Sequence, residues 1–163
     1  MSIVIRDARP ADRPIVVAFM AELQAFERTL CANRADAASM AAGHTEYLFA
    51  EIAAKDGFCL IAEDAGAPAG FLIGMSDAPP DGDLHIREDM RRIGYVTDVF
   101  VSPENRGRGL ARALLAEAEA RFRARGLPVM EICFLAGNDG ARKSYEAFGF
   151  APYEVVYAKP LGD

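Results

Sequence analysis

The sequence predicts a mixed α/β domain whose sheet is mostly antiparallel and covered by helices on both faces. Two observations carry that expectation. Short apolar runs of strand character alternate along the chain with longer segments of helical period. Strands joined by short turns in the first half pair antiparallel, while strands separated by helices in the second half need crossovers and local parallel pairing. At 163 residues, 52% of them hydrophobic and 26% charged, the chain is long enough to bury a real core. No repeat, low-complexity tract or linker interrupts it, so one domain over 1–163 is expected.

Each element has its own local signal. Met1–Asp7 reads as a first strand with Ile3 and Ile5 on one face. Asp12 can cap a helix that carries Pro14 in its first turn, where a missing N–H costs nothing. Ile15, Phe19, Leu23, Phe26 and Leu30 recur at helical spacing along it. A second helix is expected from about Ser39 to Lys55, ending before Gly57. Phe58–Glu63 and Ala69–Met75, separated by a turn around Gly66 and Pro68, form a hairpin. Ser76–Glu88, rich in acids and proline, is a loop. Tyr95–Val101 is the strongest strand, and Asp98 falls on the face it shares with Val96 and Phe100. A helix is expected over Gly109–Arg125, with Leu110, Leu114, Ala118 and Phe122 on one stripe and Gly126 closing it. Val129–Leu135 is a strand, Gly140–Phe148 a short helix stopped by Gly149, and Glu154–Lys159 a last strand.

Composition narrows the function. The net charge of −6 disfavours a nucleic-acid surface, which needs clustered Lys and Arg. No apolar run approaches the roughly 18 residues that span a bilayer, and the N-terminus has no secretory pattern, so a cytoplasmic protein is expected. Three widely spaced cysteines (Cys31, Cys59, Cys133) suit reduced, structural thiols, Cys133 buried in its strand. His44 and His85 are not spaced as a metal pair, and no metal is expected.

The informative stretch is Val99–Ala111, a strand that enters a glycine-rich turn and leaves as a helix. Unpaired N–H groups and the positive end of the helix dipole then face whatever lies above the turn, a natural anion site. Small residues admit a phosphate close to the backbone, and Arg106 and Arg108 add charge. No Lys-Ser/Thr follows Gly109, so this is not a P-loop. A dinucleotide fingerprint starting at Gly107 and Gly109 fails at Arg112. A tight strand-to-helix turn without a ligand would also account for the glycines alone.

What remains is Arg-x-x-Gly-x-Ala, filled by Arg106, Gly109 and Ala111. Here the sequence resembles the GNAT superfamily of N-acetyltransferases, whose acetyl-CoA loop reads Gln/Arg-x-x-Gly-x-Gly/Ala. Tyr95–Val101 resembles the family's central strand. Asn138–Phe150, read as N-x-x-A-x-x-x-Y-x-x-x-G-F, resembles its second conserved block. The resemblance implies a GNAT-like acyl-CoA N-acyltransferase fold and transfer of an acetyl group from acetyl-CoA to an amine by direct attack. Its pyrophosphate would lie on Arg106, Gly107, Arg108, Gly109, Leu110 and Ala111. The pantetheine arm would run beside Val99, Phe100 and Val101, with Asn138 as a further polar contact. Tyr145 matches the family's common general acid. Homodimers are common in such proteins.

The chemistry also needs an oxyanion donor, a place for the amine proton and an acid for the thiolate. Asp98, a carboxylate among apolar neighbours, can bind an ammonium or relay its proton. Glu27 is a second candidate. Glu22–Glu27 is similar to the first-helix segment of the spermidine/spermine-type acetyltransferases, with Phe26-Glu27 standing where those have a Tyr-Glu pair. A small cationic amine is therefore the expected acceptor. A protein lysine or N-terminal amine, and an acyl-CoA sensor without turnover, are the alternatives. Asp77, Asp81, Asp83, Glu88 and Asp89 either gather a cation or form a solvated loop.

Overall fold

The strand pattern of the first half closes through a tight turn at Ala65 and Gly66, both at positive φ (51° and 82°), as a two-residue hairpin requires. In the computed structural model, which describes residues 2–161, this hairpin is the middle of a five-stranded sheet. The elements are β1 (Ile3–Asp7), α1 (Arg13–Leu30), α2 (Ala37–Ala54), β2 (Phe58–Asp64), β3 (Ala67–Asp77), β4 (Ile93–Val101), α3 (Leu110–Ala124), β5 (Met130–Ile132) and α4 (Asp139–Phe148). Strand order follows chain order, β1 to β5. The first three pairings are antiparallel, and β4 with β5 is parallel, joined through α3.

Alternation along the strands fills two cores. Leu60, Ala62, Leu72 and Val96 face Leu110, Leu114, Ala118 and Phe122 of α3, all four of the stripe read from the sequence. Ile61, Phe71, Ile73 and Phe100 face Val16, Phe19 and Met20 of α1 and Leu48 of α2. Gly94 lets α3 sit close to the sheet, because a Cβ there would overlap the Phe122 ring. Among the described residues, no helix is long and apolar enough to cross a membrane.

Two irregularities set the course of β4. Ile73 pairs with Asp98 but Gly74 pairs with Val96, so Thr97 is an extra residue, a β-bulge. The bulge reverses the alternation. Val96 lies on the α3 side and Phe100 on the α1/α2 side, so of the three residues expected on one face only Asp98 and Phe100, paired with Ile73 and Phe71, share it. The parallel pairing with β5 covers only Gly94–Val96. Beyond it the two strands part, and among the described residues no strand pairs with Asp98–Val101 on that side.

That parting also explains why β5 is shorter than the expected Val129–Leu135. Cys133 lies past its end and is exposed, not buried as expected. Residues 150–161 hold no regular structure, so the last strand expected over Glu154–Lys159 is absent. Val155, Val156 and Tyr157 have strand propensity, but they are exposed and add to no strand; that propensity reflects a pleated, half-buried surface. Asp12 also departs from expectation. It precedes α1 without capping it, and its carboxylate instead accepts from the Arg9 N–H at 2.6 Å and pairs with Arg6 at 2.7 Å.

Candidate functional site

The sequence that leaves β4 builds a groove in stages. Pro103–Asn105 makes a single 3-10 turn, which steers the chain away from the sheet. Gly107 and Gly109 then take φ of +72° and +89°, a left-handed backbone that disfavours any side chain. Gly109 precedes α3, and no side chain caps the helix, so its first N–H groups stay open. They border a cavity of about 700 Å³ between the parted end of β4 and the start of α4.

Of the residues expected to hold an acyl donor, Val99, Phe100, Val101, Arg106, Gly107, Gly109, Leu110, Ala111 and Asn138 line this groove. Arg108 does not. Its guanidinium turns back to the sheet, 2.6 Å from Asp64 and 3.0 Å from Asn105 Oδ1. The Asp64 carboxylate is nearly fully buried at the end of β2, so a charge partner there outweighs a solvated position over the turn. Arg112 lines the groove in its place, with its guanidinium 5.9 Å from the Phe148 ring. In the sequence Arg112 counted only as a mismatch to the dinucleotide fingerprint, and its place in the first turn after Gly109 was the signal that could have found it. Arg106 donates to the Val101 carbonyl at 3.1 Å and lies 5.9 Å from the Phe26 ring across the groove.

Asn138 caps α4, its side chain accepting from the Ala141 N–H at 3.0 Å, and lines the groove from that position. Tyr145, on the buried side of α4, packs edge-on against Phe134 and Phe150. Burial, reinforced by the charges of Asp98 and Glu27, pushes its phenol up to about 12. It therefore stays protonated near neutral pH and can give a proton away.

A second cavity, of about 610 Å³, adjoins the first, and Leu23 lines both. Asp98 and Glu27 lie in this second cavity with Thr97, His44, Tyr95 and Cys133. The bulge at Thr97 is what turns Asp98 toward α1 and α2. Burial raises the Asp98 carboxyl above its ordinary value, against the Thr97 hydroxyl and the nearby His44, which lower it. Glu27 is raised by burial too, although Arg34 pairs with it at 3.0 Å. Glu27 is thus part of a pocket rather than a solvated helix face. His44, which the sequence offered only as half of a failed metal pair, is a pocket residue that spacing could not reveal.

The acidic loop is different. Asp83 pairs with His85 and Asp89 with Arg87, while Arg91 beneath them donates to the Pro80 and Asp83 carbonyls. Of the five acids in that stretch only Asp77 reaches the second cavity. Among the described residues, no group of three His, Cys, Asp or Glu is placed to hold a metal ion.

Comparison with known proteins decides the family, because the model of the acetyltransferase (GNAT) family matches residues 20–150. The chain belongs to the GNAT family. An uncharacterized N-acetyltransferase of Methanocaldococcus jannaschii is 31% identical over 102 residues, 63% of this chain and 42% of that protein. The mycothiol acetyltransferase of Thermobispora bispora is 41% identical over 95 residues, 58% of this chain and 30% of that one. The chain thus spans well under half the length of these relatives. Among solved structures, a GCN5-related N-acetyltransferase from Ralstonia eutropha superposes with a TM-score of 0.73 at 23% identity, covering 99% of this chain and 100% of that one. A Clostridium acetobutylicum protein solved with acetyl-CoA superposes at 0.73 with 18% identity, covering 98% and 97%. At these identities the superpositions establish the GNAT fold.

Proposed function

We propose that residues 1–163 act as one domain that transfers an acetyl group from acetyl-CoA to a primary amine by direct attack. The supporting observation is the meeting of the two cavities at Leu23, with a protonated Tyr145 lining one and a half-buried Asp98 lining the other. The groove side offers what the donor needs. Open N–H groups at the start of α3, with Arg106 and Arg112 beside them, suit a pyrophosphate. The parted edge of β4 offers backbone groups to the amides of a pantetheine arm, and one such N–H from Val99–Val101 would hold the oxyanion.

The acceptor enters from the second cavity as an ammonium held by Asp98. Its proton passes to the Asp98 carboxylate, whose raised affinity for protons suits that step. The neutral amine attacks the thioester carbonyl, and a tetrahedral oxyanion forms. As it collapses the C–S bond breaks, Tyr145 gives its proton to the departing thiolate, and the proton left on the amide nitrogen returns through water to the Tyr145 phenolate.

The test is incubation of the protein with acetyl-CoA and a panel of amines, small and peptidic, with CoA thiol and acetylated product both measured. Acetylation of any primary amine supports the reading. Tight acetyl-CoA binding without turnover on any acceptor would overturn it and leave a binding protein.

A further inference from the structure

In the reaction above Asp98 takes one proton from the acceptor in every turnover, and a protonated Asp98 cannot receive the next ammonium. Asp98 is half-buried, so that proton needs a carrier to water. The walls of the second cavity present several candidates. Glu27 of α1 lies 3.0 Å from Arg34. Glu51 of α2 and Asp77 of β3 share Lys55, at 2.9 and 3.4 Å. The two cations already hold their protons, and the three carboxylates are engaged with them. Tyr95 of β4 bonds to Cys133 beyond β5, and burial keeps its phenol protonated. His44 of α2 differs from all of these. Among the described residues it forms no ion pair, and its ring stacks on that of Tyr47 with centroids 5.9 Å apart. Tyr47 is 56% exposed, which puts the imidazole at the open rim of the cavity. From there His44 is the one cation whose charge lowers the Asp98 carboxyl.

We propose that His44 carries the acceptor's proton from Asp98 to water. The inference rests on the acetyltransferase reading above and gives its proton a way out. The O–H bond on Asp98 breaks as an N–H bond forms on the neutral imidazole, which restores the carboxylate and leaves His44 as an imidazolium. Loss of that proton to water returns His44 to its neutral form. One proton per acetyl transfer thus reaches solvent, and no co-reactant is needed. Imidazole suits the step because it gains and loses a proton between about pH 5 and 8. Its charge also favours the direction of transfer. A protonated His44 stabilises the Asp98 carboxylate, so a proton once passed on is discouraged from returning. His44 acts through Asp98 and need not touch the acceptor.

The test compares the unsubstituted protein with His44→Gln and His44→Ala, with thermal melts verifying the fold and calorimetry verifying acetyl-CoA affinity. Acetyl transfer to hexylamine and to a lysine peptide is followed from about pH 5 to about pH 9. The kcat ratio of the unsubstituted protein to His44→Gln should rise with pH, from about one where an imidazole is already protonated to roughly tenfold or more above about pH 8. Free imidazole should restore much of the turnover of His44→Ala, in proportion to its unprotonated fraction. A ratio that stays flat across pH overturns the inference whatever its size, because a histidine that only packs against Tyr47 would lower turnover equally at every pH. So does a His44→Ala protein that imidazole leaves unchanged. In both cases the acetyltransferase reading stands, since the unsubstituted protein still turns over. Absence of turnover on any amine by the unsubstituted protein would remove both.

Discussion

Arg108→Ala separates two roles that one arginine in a phosphate-binding turn could have. Its side chain is 38% exposed and that of Asp64, its partner at 2.6 Å, is 6% exposed. Asp64 Oδ1 is buried with no hydrogen bond, so Arg108 is the main answer to that charge. Removing one member of a fully buried pair costs about 3–5 kcal/mol; with half of this pair open to water, about 2 kcal/mol is expected. For a domain of this size that lowers Tm by about 4–8 °C. The assay is thermal and urea unfolding beside acetyl-CoA affinity. Affinity should fall only modestly, because Arg108 does not line the groove, and Asp64→Asn combined with Arg108→Ala should recover part of the lost stability through a favourable coupling. An unchanged Tm with a large loss of acetyl-CoA affinity would refute the argument and place Arg108 on the donor.

The same geometry gives three further expected outcomes. Tyr145→Phe keeps the packing against Phe134 and Phe150 but removes the proton, so turnover should fall about a hundredfold with acetyl-CoA affinity nearly unchanged, read by steady-state kinetics and calorimetry. Gly94→Ala would push a methyl into the Phe122 ring, and a loss of about 1–3 kcal/mol in urea unfolding is expected. The hydrogen bonds from Arg6 hold the Asp12 carboxyl down to about 2 from its ordinary 3.8. Because the folded value is the lower one, this pair stabilises above about pH 4 and its contribution is lost as pH falls toward 2. Asp12→Asn should flatten that limb of the pH–stability curve.

The helices were legible in the sequence because their signals are local. The α3 stripe from Leu110 to Phe122 and the stop at Gly149 each depend on a few consecutive residues, and each lies where expected. What depends on a partner was not legible. The bulge at Thr97 exists only relative to β3, and it moved Val96 away from the face assigned to Asp98. Arg108 looked like a phosphate ligand until folding brought Asp64 to it from another strand. Glu154–Lys159 has strand composition without a strand to join. In the site, the donor turn was visible as a motif of contiguous residues. The second cavity combines α1, α2, β3, β4 and the segment after β5, and no spacing rule links His44 to Asp98.

The parting of β4 from β5 also makes the sheet mechanically incomplete. In an ordinary parallel pair the hydrogen bonds run on and tie the two halves of a layer together. Here that tie ends at Val96 and Ile132, and past it a cavity of about 700 Å³ opens between the end of β4 and the start of α4. A long ligand lying in that space would act as a strut, taking up main-chain bonds that a neighbouring strand would otherwise make. Its binding energy would then be shared with the cohesion of the sheet, about 2.7 kcal/mol at a hundredfold excess over Kd. Substrate and scaffold would in that sense be one structure, assembled anew with each turnover.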